Sequence, residues 1–165
     1  IIFSGEFNPS DPRRLYEICY EVVDMAKKLK VGTLFSIGAA LRQPSPKEPK
    51  IFGATTSAKL LNLLKKQNIT LLDGKGQITG FNGLILGIAK EKNIDSICIL
   101  GEIDNPNVIQ PKAAQMILST LFEFLKIKPI DMKDLEEEEK RKKFMEQQMN
   151  YMDGLMRRDK QPGIA

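Results

Sequence analysis

Histidine is absent from this chain of 165 residues. Its absence removes Ser-His-Asp and Cys-His nucleophilic catalysis, histidine-ligated zinc and a histidine general base. Cysteine is scarce: only Cys19 and Cys98 occur, each inside an apolar segment. Free cysteine behaves as a small buried hydrophobe, so both read as core thiols. A reducing compartment, here the cytoplasm, is the expected setting, with the two left unpaired. No apolar run approaches the roughly 20 residues that cross a bilayer, and no signal peptide is visible, so no membrane partner is expected. An excess of one charge is also missing: Lys+Arg 25 against Asp+Glu 21 leaves a formal +4. There is no arginine-rich arm and no alternation of basic and aromatic residues, so nucleic acid is not an expected partner.

What is present is a chain 42% hydrophobic, long enough for one domain with its own core. Residues Ile1–Phe7 read as a strand. Ser10 or Asp11 can cap a helix that starts at Pro12, and apolar residues recur at helical spacing from Leu15 to Leu29. Thr33–Ile37 is apolar enough for a strand covered on both faces. Pro44, Pro46 and Pro49 forbid a helix between residues 42 and 50. Strands follow at Ile51–Thr55, Ile69–Leu72 and Ile94–Leu100. Thr56 or Ser57 can cap a helix whose apolar face is Leu60, Leu61, Leu63 and Leu64, and Asn82 can cap another over Phe81–Lys92. Pro111 opens a further helix that Pro129 breaks, and Asp134 caps a last one running to about Arg157.

The alternation of strands and helices implies an α/β fold with a mainly parallel central sheet and helices on both faces. The stretch Ala39–Lys50 lacks a crossover helix, so one strand pair is expected to be antiparallel. Two units are expected: an α/β domain over residues 1–130 and a charged C-terminal helix and tail over residues 131–165.

Glycines crowd the segment from Asp73 to Ala89 at positions 74, 76, 80, 83 and 87. A helix start behind such a loop can cradle a phosphate. The segment matches no phosphate fingerprint: Lys75 is followed by Gly76 instead of Ser or Thr, and Gly80 comes one residue late for the dinucleotide pattern. Tight turning, with close packing of helix on sheet through Gly83 and Gly87, is the plainer reading. Gly80, Asn82, Gly83 and Glu102 remain candidates for a ligand or interface loop. Glu6, Asp73, Glu102 and Asp104 lie at strand ends, where paired acids run proton transfer or hold a metal, but nothing in their spacing shows that any two converge, and solvated or capping acids are the plainer reading. No catalytic residue, metal ligand or cofactor is assigned.

The last helix is the second informative segment. Glu136–Lys140, Glu137–Arg141, Glu138–Lys142 and Glu139–Lys143 form four acid-to-base steps of one turn. Each such pair stabilises a solvated helix by about 0.2–0.5 kcal/mol. Met145, Met149, Met152 and Met156 then recur at heptad-like spacing, flanked by Phe144 and Leu155. Thioethers adapt to irregular surfaces. The turns before this seam look too charged to lie on a core, which makes these six residues a candidate inter-subunit or partner contact.

The order of several short motifs resembles the archaeal branch of the proteasome-assembly-chaperone family. They are Leu84-Ile-Leu-Gly-Ile-Ala89 after a Gly-x-x-Gly turn, Ile97-Cys-Ile-Leu-Gly-Glu102, Pro111-Lys-Ala-Ala114, Glu48-Pro-Lys-Ile-Phe-Gly53 and the Ile130-Asp-Met-Lys-Asp-Leu-Glu136 entry into the charged helix. The resemblance implies an α/β fold like that of purine nucleoside phosphorylases without their active site. It also implies homo-oligomers, no enzymatic activity, and a role in assembling or docking on proteasome α-type subunits. A nucleoside- or phosphate-binding enzyme using the Gly80–Gly83 turn is the alternative. Members begin with an apolar strand and a glycine-proline turn that this sequence lacks, so a preceding piece is expected. Some members end in a hydrophobic-Tyr-any motif, whereas here Ile164 stands at the tyrosine's place.

Overall fold

A computed structural model describes residues 1–5, 8–42, 48–67, 69–72 and 78–158, with side chains to residue 152. Its elements are α1 (Pro12–Lys28), β1 (Thr33–Leu41), β2 (Ile51–Thr55), α2 (Ala58–Lys66), β3 (Thr70–Leu71), α3 (Gly80–Glu91), β4 (Asp95–Ile103), α4 (Pro111–Leu125) and α5 (Lys133–Arg158). They form an α/β fold around one four-stranded sheet in the order β1-β4-β2-β3. β1 runs parallel to β4 and β2 parallel to β3, while β2 and β4 are antiparallel. The expected antiparallel pair is thus β2–β4. It follows from the missing helix between β1 and β2, since a short connection cannot carry the chain back for a parallel step.

The central strand decides the layering. Ser96–Gly101 of β4 is buried throughout. Successive side chains of a strand point to opposite faces. Cys98 and Leu100 meet Cys19 and Val23 of α1 and Ile85, Leu86, Ile88 and Ala89 of α3. Ile97 and Ile99 meet Leu60 and Leu64 of α2, together with Met116, Ile117 and Leu121 of α4. Helices therefore cover both faces. Burial pushes the Cys98 thiol up to about 11, against a small opposing effect of its hydrogen bond with Ser36. Cys98 and Cys19 are both free and buried, as core thiols.

Local chemistry sets most helix boundaries. The Asp11 carboxylate accepts from the Arg13 amide at 2.9 Å, and Pro12 occupies the first turn of α1. Four expectations need correction. Residues 1–5 form no strand: Ile1 and Ile2 are exposed, and Phe3 stacks on Phe81 at 5.9 Å instead of entering a ladder. The α3 cap position is Thr79, because a left-handed Gly80 (φ 66) starts the helix two residues before Asn82. The carboxylate that accepts from the first turn of α5 is Asp131, through the Lys133 amide at 3.0 Å, and Asp134 lies within that turn. Leu63 is exposed, since Leu60 and Leu64, one turn apart, are the pair of α2 that points at the sheet.

Candidate interaction surface

Two regions carried functional expectations, and both lie toward the carboxyl end of β4. In the first, the Ser36 hydroxyl donates to the Asn82 side-chain carbonyl at 2.6 Å, tying α3 to β1. A side chain at Gly38 would run into the same amide, a constraint invisible in the sequence. Glu102, paired in register with Ala40, turns its carboxylate to the Lys50 amide at 3.0 Å and to Arg42 at 3.4 Å. Asn82 and Glu102 are thus each engaged by partners of their own. Gly83 presses on the backbone of Ile78, whereas Gly87 faces open space, so close packing of helix on sheet does not run through Gly87. Asp104 belongs to a different cluster, with Gln110 and Lys142. Glu6, Asp73, Gly74 and Gly76 lie outside the described residues.

The second region is α5. It begins a short connection after α4 ends, yet Lys142 reaches Gln110 at the cap of α4, so α5 runs back antiparallel along α4. The residues that turn toward the body are Leu135, Glu138, Glu139 and Lys142. The charged turns, expected to stand clear, are the ones that touch the domain. Most of their polar atoms are partnered, although Glu139 Oε2 is buried without a hydrogen bond. Lys142 donates to Gln110 Oε1 at 2.8 Å and to Asp104 Oδ1 at 3.3 Å, and Gln110 Nε2 donates to the same carboxylate oxygen at 2.9 Å. Glu139 keeps its expected partner Lys143 at 3.4 Å, while Arg141 pairs with Glu138 at 2.6 Å instead of Glu137.

From Lys143 onward every described side chain of α5 is exposed. Phe144, Met145, Met149 and Met152 are more than half exposed at 60%, 62%, 64% and 56%, and Tyr151 at 70%. Leu155 and Met156, the remaining members of the expected seam, have side chains outside the described residues. Tyr151 was missed by sequence reasoning, although it stands seven residues after Phe144, on the same stripe. At 100° per residue, Phe144, Tyr151, Met145, Met149 and Met152 span an arc of roughly 160°. One edge of that arc continues the Leu135–Lys142 stripe that docks on α4, since Met145 and Met149 stand seven residues after Glu138 and Lys142, and the rest turns away from it. Lys142 already meets Gln110 at the cap of α4, so the helix beyond it runs past the start of α4 and its apolar arc stays uncovered. The helix beyond Lys142 is roughly 24 Å long at about 1.5 Å per residue.

Comparison with known proteins agrees with this architecture. A model of the PAC2 family matches residues 1–150. The chain belongs to the PAC2 family. The uncharacterized protein MJ1210 of Methanocaldococcus jannaschii is 32% identical over 147 residues, covering 89% of this chain and 55% of that protein. The crystal structure of Pyrococcus furiosus PbaA, described as an archaeal homolog of proteasome-assembly chaperone, superposes with a TM-score of 0.75 at 24% identity, over 94% of this chain and 65% of that one. Pyrococcus furiosus PbaB, described as an archaeal proteasome activator, gives 0.78 at 24% identity, over 88% and 63%. This PAC2 chain thus spans about half the length of the curated relative it matches and just under two thirds of the two solved chains.

The docking of α5 in this family member has a measurable signature. Burial tends to raise the Asp104 carboxyl, but hydrogen bonds from Gln110 and Lys142 and the Lys142 charge outweigh it and hold the group below its ordinary value of 3.8. A depressed carboxylate contributes its stability fully above the unfolded value, and the contribution is lost as pH falls through the lower folded value. Lys142→Met leaves Asp104 without its cation. It is expected to weaken the docking of α5 by about 1.5–3 kcal/mol, the usual worth of hydrogen bonds to a charged group. Limited proteolysis should then cut between α4 and α5 faster at neutral pH. Asp104→Asn should remove most of the acid dependence of that cutting as pH falls below the ordinary carboxyl value.

Proposed function

We propose that this PAC2 chain is a non-enzymatic, homo-oligomeric assembly chaperone or docking factor for proteasome α-type subunits in the cytoplasm. The contact is made by the far half of α5, through Phe144, Met145, Met149, Tyr151 and Met152, with Leu155 and Met156 extending the seam. One observation carries this reading: a broad apolar arc on a helix that its own charged first half holds against α4, with the arc carried past the start of α4 and left exposed. An apolar arc left in water favours a partner helix or groove, since each such side chain is worth about 1.5–3 kcal/mol on full burial. Entropy and ordering costs take back a part of that. The descriptions of PbaA as an archaeal homolog of proteasome-assembly chaperone and of PbaB as an archaeal proteasome activator support the choice of partner.

The alternative, a nucleoside- or phosphate-binding enzyme at the Gly80–Gly83 turn, draws less support. Its acid Glu102 is engaged by Arg42 and the Lys50 amide, and Asn82 by Ser36. The test is capture of purified archaeal proteasome α subunits by the immobilised chain, read by native mass spectrometry. Stoichiometric capture is the expected result. No capture, together with a thermal shift on addition of nucleosides, nucleotides or phosphate, would favour the enzyme.

A further inference from the structure

The chain carries two kinds of oxidisable sulfur, and the fold treats them oppositely. Cys19 and Cys98, the only thiols, are fully buried among apolar side chains of α1, α3 and β4. Peroxides react with the thiolate, and burial pushes both thiols up, Cys98 to about 11, so little thiolate forms at neutral pH. A thioether needs no ionisation to react. Four of the seven methionines lie in the far half of α5, at positions 145, 149, 152 and 156. Met145, Met149 and Met152 are more than half exposed, whereas Met116 and Met132 are half-buried. Met25 on α1 is exposed as well.

Steps of four and three residues set Met145, Met149 and Met152 side by side on one helix face. An apolar contact built of leucine would hold its character in any redox state. One built of thioethers does not, because methionine becomes a polar sulfoxide on taking one oxygen atom. A sulfoxide carried into an apolar contact loses its hydration and finds no donor there.

We propose that Met145, Met149 and Met152 are oxidation sites, at which a hydroperoxide switches off the client contact of α5. The sulfur lone pair attacks the terminal peroxide oxygen, the S–O bond forms and the O–O bond breaks. The proton on that oxygen passes to the leaving one, which departs as water or an alcohol. Sulfur is oxidised and the peroxide is reduced by the same electron pair. A dithiol sulfoxide reductase reverses the change, taking the oxygen off as water while its own thiols pair as a disulfide. The domain keeps its fold throughout, since the three side chains are exposed and the Lys142–Gln110–Asp104 cluster that docks α5 contains no sulfur. The switch rests on the reading of α5 as the client contact.

The test treats the full chain with hydrogen peroxide at neutral pH and maps oxygen uptake by peptide mass spectrometry. Met145, Met149, Met152 and Met25 should gain oxygen before Met116 and Met132, with Cys19 and Cys98 still thiols. The oxidised chain should bind proteasome α subunits more than about tenfold more weakly, at unchanged thermal unfolding, and recover with sulfoxide reductases for both epimers. Met145→Leu/Met149→Leu/Met152→Leu/Met156→Leu should bind and keep binding after peroxide. Met25→Leu, away from the arc, should remain as sensitive as the wild type. Sulfoxides at all three arc positions with undiminished binding would overturn the switch and leave the contact standing. So would a leucine variant as sensitive as the wild type, or oxidation of Met116 ahead of the arc. A chain that binds no α subunit even before peroxide would overturn the contact, and the switch with it.

Discussion

Gly83→Ala should destabilise the fold by about 1–3 kcal/mol, whereas Gly87→Ala, one turn along the same helix, should stabilise it by about 0.5–1 kcal/mol. Both residues lie inside α3, where glycine is a poor helix former and alanine a good one. Propensity alone predicts a gain at both. The surroundings reverse the sign at one. A Cβ on Gly83 would collide with the carbonyl of Ile78, a backbone group that cannot rotate away. The chain reaches Ile78 just before α3 starts at the left-handed Gly80, so relieving the collision means moving the whole entry to the helix. A Cβ on Gly87 meets nothing within 4 Å, and only the propensity gain and the reduced freedom of the unfolded chain remain. Urea unfolding followed by circular dichroism gives both values. Equal and small effects at the two positions would show that the turn at Ile78 is loose. A loss at Gly87 would show that its face is occupied.

These two glycines also show where the sequence was legible. Their crowding marked the segment as special, but nothing in the spacing separates a glycine against a carbonyl from one against solvent. That distinction depends on where the loop before α3 comes to lie. The fold class was readable because it rests on local patterns: β4 is apolar on both faces, α1 repeats its apolar residues at helical spacing, and Asp11-Pro12 marks a helix start. The antiparallel β2–β4 pair was readable from a missing element, the crossover helix between β1 and β2. The strand expected over Ile1–Phe7 is not formed by its described residues 1–5, for the opposite reason. Apolar composition permits a strand, but a ladder needs a neighbour, and Phe3 packs on Phe81 instead.

The candidate surface was half legible. The methionine spacing pointed to Phe144, Met145, Met149 and Met152, which are exposed, and passed over Tyr151 beside them. The charged half of α5 was misread as free of the body. Lys142 looks like an ordinary surface lysine until Asp104 and Gln110, more than thirty residues earlier, are placed beside it. No spacing rule within one helix finds such a partner. The glycine-turn candidates Asn82 and Glu102 sit near the same strand ends, as expected for an α/β sheet, but each is committed to partners of its own.

Met149→Glu/Met152→Glu should abolish capture of the client without unfolding the chain. Both residues are more than half exposed, so their replacement removes little packing from the free protein. In an occupied contact the same two side chains become buried. Losing two buried methionines removes about 3–6 kcal/mol. Carboxylates left without partners in an apolar contact add a further penalty. Even the lower figure corresponds to a weakening of more than about 100-fold, since about 1.4 kcal/mol is tenfold in affinity. Two controls define the result. Glu136→Gln lies on an exposed part of the docked half, two turns before Phe144 and outside the arc, and should leave capture within about twofold. Met149→Leu/Met152→Leu keeps volume and apolarity and should retain most of the affinity. Isothermal calorimetry on the captured α subunit reads all three. Undiminished affinity of the glutamate variant, with its thermal unfolding unchanged, would remove α5 from the contact. Equal loss in the leucine and glutamate variants would show that shape specific to methionine, and not apolar burial, decides binding.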